Sequence, residues 1–136
     1  MPTPVLEGPE FVVPTTISGN QDYNTVAALP DGRFVVAWTD RSALVGDTDQ
    51  GAIRAQIYAT DGTPLGGEIL VNTTTSSSQF DPDIGVLQDG SFVIAWSDGS
   101  ATGGDTSLQA IRAQRFDSSG AKAGGELLVN TSTVST

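Results

Sequence analysis

The apolar residues of this chain gather in short blocks separated by Gly, Asp, Ser and Thr. "TVAAL" (Thr25–Leu29), "RFVVAW" (Arg33–Trp38), "AIRAQIYA" (Ala52–Ala59) and "EILVNTT" (Glu68–Thr74) have the length and the β-branched or aromatic content of strands. The same four blocks return as "DIGVL" (Asp83–Leu87), "SFVIAW" (Ser91–Trp96), "AIRAQRFD" (Ala110–Asp117) and "ELLVNTS" (Glu126–Ser132). No segment sustains a helical period. Leu29 realigns with Leu87, Trp38 with Trp96 and Glu68 with Glu126, so the chain repeats every 58 residues, without a gap, from Glu10 onward. A period of this size marks blades, solenoid units or an array.

Turn chemistry supports hairpins. Asp31-Gly32 and Asp89-Gly90 separate the first strand from the second, and an Asp-Gly pair between apolar runs suits a tight turn whose residues take positive φ. Asp61-Gly62 and Ser119-Gly120 mark the turn from third to fourth, and Gly66-Gly67 and Gly124-Gly125 suggest a bulge before the fourth. The second strand is apolar on both faces and must be covered twice. The third alternates, with Ile53, Ala55 and Ile57 on one side and Arg54 and Gln56 on the other. Polarity rises from first strand to last, the gradient of a β-propeller blade whose inner strand lines an axis and whose outer strand meets water.

The expected fold is therefore all-β, with two four-stranded antiparallel propeller-type blades and a surplus N-terminal strand; a β-sandwich is the alternative. The divisions are an extension over 1–9, a first unit with its extra leading strand over 10–74, and a second unit over 75–136. The surplus strand is a third copy of the fourth block, "EFVVPTT" (Glu10–Thr16), and is expected to dock on a sheet edge. Two blades cannot close a ring, since closed propellers have about four to eight. Self-association is expected, for example three chains giving six blades, unless the chain is an excerpt of a longer array.

Composition narrows the chemistry. Sixteen Asp and Glu against six Lys and Arg give a net charge of −10. That charge repels phosphate backbones, so nucleic acid is not an expected partner. No apolar run approaches the roughly 18 residues of a membrane span, so insertion is not expected. The N-terminus lacks the basic and apolar regions of a signal peptide. Cys and His are both absent, which removes thiolate chemistry, the commonest general base and the commonest zinc ligand.

"DGRFVVAW" with "DGSFVIAW", "IRAQIYATDG" with "IRAQRFDSSG", and "GGEILVNTTT" with "GGELLVNTST" resemble tandem repeats of very large secreted or surface proteins of bacteria, of the RTX or cadherin-like adhesin type. The resemblance covers nearly all of the chain after Glu10. It implies secretion or a cell-surface location, and often calcium. The Gly- and Asp-rich nonapeptide that binds calcium in RTX arrays is absent, so calcium does not carry over from the resemblance.

Three sets of residues are candidates for sites. The loops after the second strands repeat Asp40 as Asp98 and Asp47 as Asp105, with Asp49 in the first copy alone. Carboxylates returning to one loop suit Ca²⁺, the one cofactor the sequence leaves open, although the bland reading is Asx-type turns. Trp38 and Trp96 end the second strands, as sugar-stacking platforms or, more simply, as core residues whose indole N–H finds an acceptor near the edge. Arg54 and Gln56, with their repeats Arg112 and Gln114, are candidates for a sugar hydroxyl; pairing of Arg54 with Glu68, and of Arg112 with Glu126, is the structural alternative. No nucleophile has an evident base, and near-equivalent units argue for a scaffold. The sequence therefore predicts a non-enzymatic structural or adhesive repeat module. The alternatives are a lectin-like propeller that binds glycan, assembled from two-blade chains, and a calcium-dependent stiffening module.

Overall fold

The structure, a computed structural model, describes residues 8–15, 18–42, 50–102, 104–105 and 108–131. Among these there is no helix. The first sheet comprises β1 (Gln21–Ala28), β2 (Phe34–Asp40), β3 (Ala52–Tyr58) and β4 (Pro64–Leu70), and the second β5 (Gln79–Val86), β6 (Phe92–Asp98), β7 (Ala110–Phe116) and β8 (Leu127–Leu128). Each sheet is antiparallel with its strands in chain order, one sheet per repeat.

The turns differ from the two-residue form expected. Gly32 N–H donates to Leu29 O at 3.1 Å and Leu29 N–H to Arg33 O at 2.8 Å, so the loop is Pro30-Asp31-Gly32. Only Gly32 takes positive φ (93°), as in a type I turn closed by a left-handed glycine. Asp31 instead accepts from Arg33 N–H at 3.2 Å. The same loop recurs after β3, β5 and β7.

β1 and β5 start at Gln21 and Gln79, four residues before the expected Thr25 and Asp83. Their polar ends escape a hydrophobic pattern, yet Gln21 pairs with Asp40 and Gln79 with Asp98 in the ladder. The polarity gradient also needs correcting. β3 is buried at all seven positions, Arg54 and Gln56 included, whereas β1 is half-exposed.

The core lies between the sheets. The trailing face of the first sheet (Val35, Ala37, Ile53, Ala55, Ile57, Val71) meets the leading face of the second (Phe92, Ile94, Trp96, Phe116). Phe92 stacks on Phe116 with ring centroids 5.0 Å apart, and Phe34 on Tyr58 at 5.1 Å, the same cross-strand pair in each repeat. The sheets approach closely at Gly120: Ile57 Cδ1 fills the space a β-carbon would need.

The surplus segment is not a paired strand. Residues 8–15 have no ladder and form a strap over the leading face of the first sheet. The Phe11 ring lies 5.4 Å from that of Tyr58, Tyr58 Oη donates to Val13 O at 3.2 Å, and Thr15 N–H donates to Glu68 at 2.7 Å. Its repeat counterpart in β4 has two sets of partners: the ladder to β3 (Ala55↔Ile69, Arg54↔Leu70) and contacts to the following sheet. The strap makes the second set, against Tyr58, Gly62 and Glu68, and has no ladder.

Candidate functional site

A polar band crosses each sheet at one end. In the second sheet Gln79 Nε2 donates to Asp98 Oδ1 at 2.9 Å, Ser100 N–H and Oγ donate to the same carboxylate at 3.0 and 2.8 Å, and Arg112 Nε donates to Asp98 Oδ2. Arg112 Nη1 also meets Glu126 at 3.3 Å. In the first sheet Asp40 accepts from Gln21, Ser42 and Arg54, the last at 2.7 Å. The strand period explains the grouping. Arg54 lies opposite Trp38, and Asp40, two residues on, shares that face and is its diagonal neighbour.

The expected Arg112–Glu126 pair is thus present as part of a larger network. For Arg54 the ladder places Leu70 opposite, after a register shift, and among the described residues it pairs with Asp40 and not Glu68. Glu68 instead holds Thr15, as Glu126 holds Thr73 and Thr74, with the Glu126–Thr73 N–H contact at 2.7 Å. Gln56 and Gln114 donate to backbone carbonyls on either side of the Gly-Gly bulges, Gly66 O at 3.2 Å and Gly124 O at 3.0 Å. Trp38 and Trp96 are buried, and their indole N–H groups have no acceptor among the described residues.

Asp40 and Asp98 have their oxygens filled by donors. Asp105 is buried and accepts from Asn130 Nδ2. Asp47 and Asp49 lie outside the described residues. No group of three acidic residues suited to a metal ion occurs among the described residues.

Burial opposes ionisation of Asp98, but hydrogen bonds from Gln79, Arg112 and Ser100 outweigh it and hold the carboxyl below its ordinary value. Burial likewise opposes ionisation of Glu126, and Thr74 and Thr73 lower it. Asp40 follows the same logic, its burial outweighed by Ser42, Gln21 and Arg54. A depressed carboxyl contributes stability that is complete above the unfolded value, about 4, and is lost as pH falls through the folded value. The urea midpoint is therefore expected to be flat from neutral pH to about 5 and to drop steeply below about 4. Glu126→Gln should make that drop shallower.

A second polar region lies where the first strands adjoin. Thr25 Oγ1 is 3.5 Å from Asp83 Oδ1, which joins β1 to β5 across the two sheets. Both strands carry a register shift, between Asp22 and Thr25 and between Phe80 and Asp83. Tyr23 (φ 51°) and Asp81 (φ 62°) take left-handed backbone there, and both are exposed. These positions break the repeat: Tyr23 becomes Asp81 and Thr25 becomes Asp83. Hydrophobic patterning does not reach them, since the apolar blocks start at Thr25 and Asp83; the signal in the sequence is the break in the repeat itself. A nearby cavity of about 330 Å³ is lined by Val13, Pro14, Gln21, Asp22, Asn24, Val36 and Trp38.

No family model and no curated protein matches the chain. Among solved structures it is similar to the endo-arabinase from Bacteroides thetaiotaomicron, with a TM-score of 0.47 and 20% identity, over 79% of this chain and 43% of that one. The chain spans less than half the length of that structure. The non-enzymatic structural or adhesive module expected from the sequence is corrected here: the solved structure that the chain is similar to is that of an enzyme. Glycosidic bonds are cleaved by carboxylate pairs, so the absence of His and Cys does not bear on catalysis of that kind.

Proposed function

We propose that the protein acts on a polysaccharide at the edge where β1 adjoins β5, with Asp81 and Asp83 as the carboxylates that work on the glycosidic bond. The observation that carries this reading is the pair of left-handed, non-glycine residues, Tyr23 and Asp81, in matching bulges of adjoining strands. Such backbone costs about 1–3 kcal/mol per residue and clusters at functional sites. An exposed tyrosine ring suits the apolar face of a sugar. Carboxylates and a hydroxyl suit its hydroxyls and, as a pair, supply acid and base or nucleophile. Asp81 and Asp83 are exposed, unlike Asp40 and Asp98. The sheets are read as two blades of a propeller-type protein, with β1 and β5 innermost. The repeat resemblance supports a secreted or cell-surface bacterial setting, where polysaccharides are met.

Release of reducing ends from a panel of plant and bacterial polysaccharides tests the proposal. One or more substrates should be cleaved, with Asp81→Asn or Asp83→Asn lowering kcat by roughly 10²-fold or more. Tyr23→Ala should mainly raise KM. A panel that yields no reducing ends, or cleavage untouched by both Asp variants, would overturn the proposal.

A further inference from the structure

The interface between the two sheets has a second half on each side of the molecule. The second sheet carries its own trailing face, with Val93, Ala95, Ile111 and Val129 in the places of Val35, Ala37, Ile53 and Val71. Ile53 and Val71 are each 0% exposed; Ile111 and Val129 are 42% and 53% exposed. Leu29 is 3% exposed and its counterpart Leu87 is 49%. The first sheet carries its own leading face, with Phe34, Val36, Trp38 and Tyr58 in the places of Phe92, Ile94, Trp96 and Phe116. The 330 Å³ cavity lies on that face.

We infer that the trailing face of the second sheet docks on the leading face of the first sheet in a second copy of this chain. The internal interface already shows that faces with these residues bury one another. Two differences between the repeats add charge complementarity. Within the chain, Ile57 packs against Gly120, which follows Ser119. Between copies, the residue in the place of Ile57 is Arg115, and it meets Gly62, which follows Asp61. The substitution of Arg for Ile on one face is thus matched by Asp for Ser on the other. Arg115 and Asp61 are both exposed in the single chain.

The strap determines how docking begins. Phe11 lies against Gly62 as Ile69 lies against Gly120, and Thr15 holds Glu68 as Thr73 holds Glu126. A docking copy brings its own Leu127 and Thr131 to the same seat. The strap is therefore a stand-in for the partner's fourth strand and leaves when the partner arrives. The contact is head-to-tail, so it closes a ring or extends a filament according to its rotation.

Mass in solution, measured by sedimentation equilibrium from micromolar to near-millimolar concentration, tests this. The full chain should associate with rising concentration, and Ile111→Asp should abolish association. Arg115→Asp and Asp61→Arg should each weaken it by roughly tenfold or more, and combining them should restore most of it. All three residues are exposed, and circular dichroism checks that each variant remains folded. A wild-type chain that stays monomeric throughout overturns the inference, as does association indifferent to these variants. The measurement needs no carbohydrate, so its failure is separate from failure of the proposed activity.

Discussion

Asp98→Ala is expected to lower folding stability by about 3 kcal/mol, at the lower end of the range for breaking a buried ion pair. The carboxylate is fully buried and joins four strands: Gln79 on β5, its own β6, Arg112 on β7 and, through Arg112, Glu126 beside β8. Removing it leaves a buried guanidinium with Glu126 as its remaining carboxylate partner, takes one acceptor from the Gln79 amide, which keeps Ser76 O, and strands the Ser100 N–H. Thermal unfolding should shift down by roughly 10 °C. Asp98→Ala combined with Arg112→Met removes the orphaned charge and should recover part of the loss. Equal stability of the single and double variants would show that the network is not coupled as described.

Gly120→Ala is expected to cost about 2–4 kcal/mol, from two sources. The backbone φ of 89° disfavours any side chain, and the new methyl collides with Ile57 of the other sheet. Gly62→Ala is the internal control. It shares the turn, with φ 87°, but its β-carbon would sit 3.3 Å from Cε1 of the half-exposed Phe11, which can move. That variant should lose only about 1–2 kcal/mol. In a double-mutant cycle, Ile57→Ala should suppress the collision part of the Gly120→Ala penalty and leave the φ part. Equal losses at Gly62 and Gly120 would contradict the close approach of the two sheets at Gly120.

The repeat made much of the architecture readable. Trp38 and Trp96, Ile53 and Ile111, and the Gly-containing turns recur at one offset, and equal sequence in equal context folds alike. The resulting strands are close to those observed for β2, β3, β6 and β7, because apolar blocks bounded by turn residues are local signals. The starts of β1 and β5 were hidden because Gln21 and Gln79 are polar, and their place in the ladder depends on Asp40 and Asp98 across the sheet. The strap was misread for the opposite reason. "EFVVPTT" has the sequence of a strand, but strand pairing requires a free third-strand edge, and sequence cannot say whether one is within reach.

Residue types alone determined that this chain is a gapless duplication of strand-forming blocks, strongly acidic and without thiol or imidazole chemistry. Those are properties of composition and of local order along the chain. Tertiary structure decided which polar residues hold the fold and which are exposed to solvent. Arg54 takes Asp40 as its partner because strand register makes them diagonal neighbours, and Arg112 gains both Asp98 and Glu126 by the same geometry. Thr25 and Asp83 come together because two bulged strands of different repeats adjoin. Ile53 is hidden and Ile111 exposed, though the residues around them are nearly the same, because burial belongs to what packs against a face and not to the face itself.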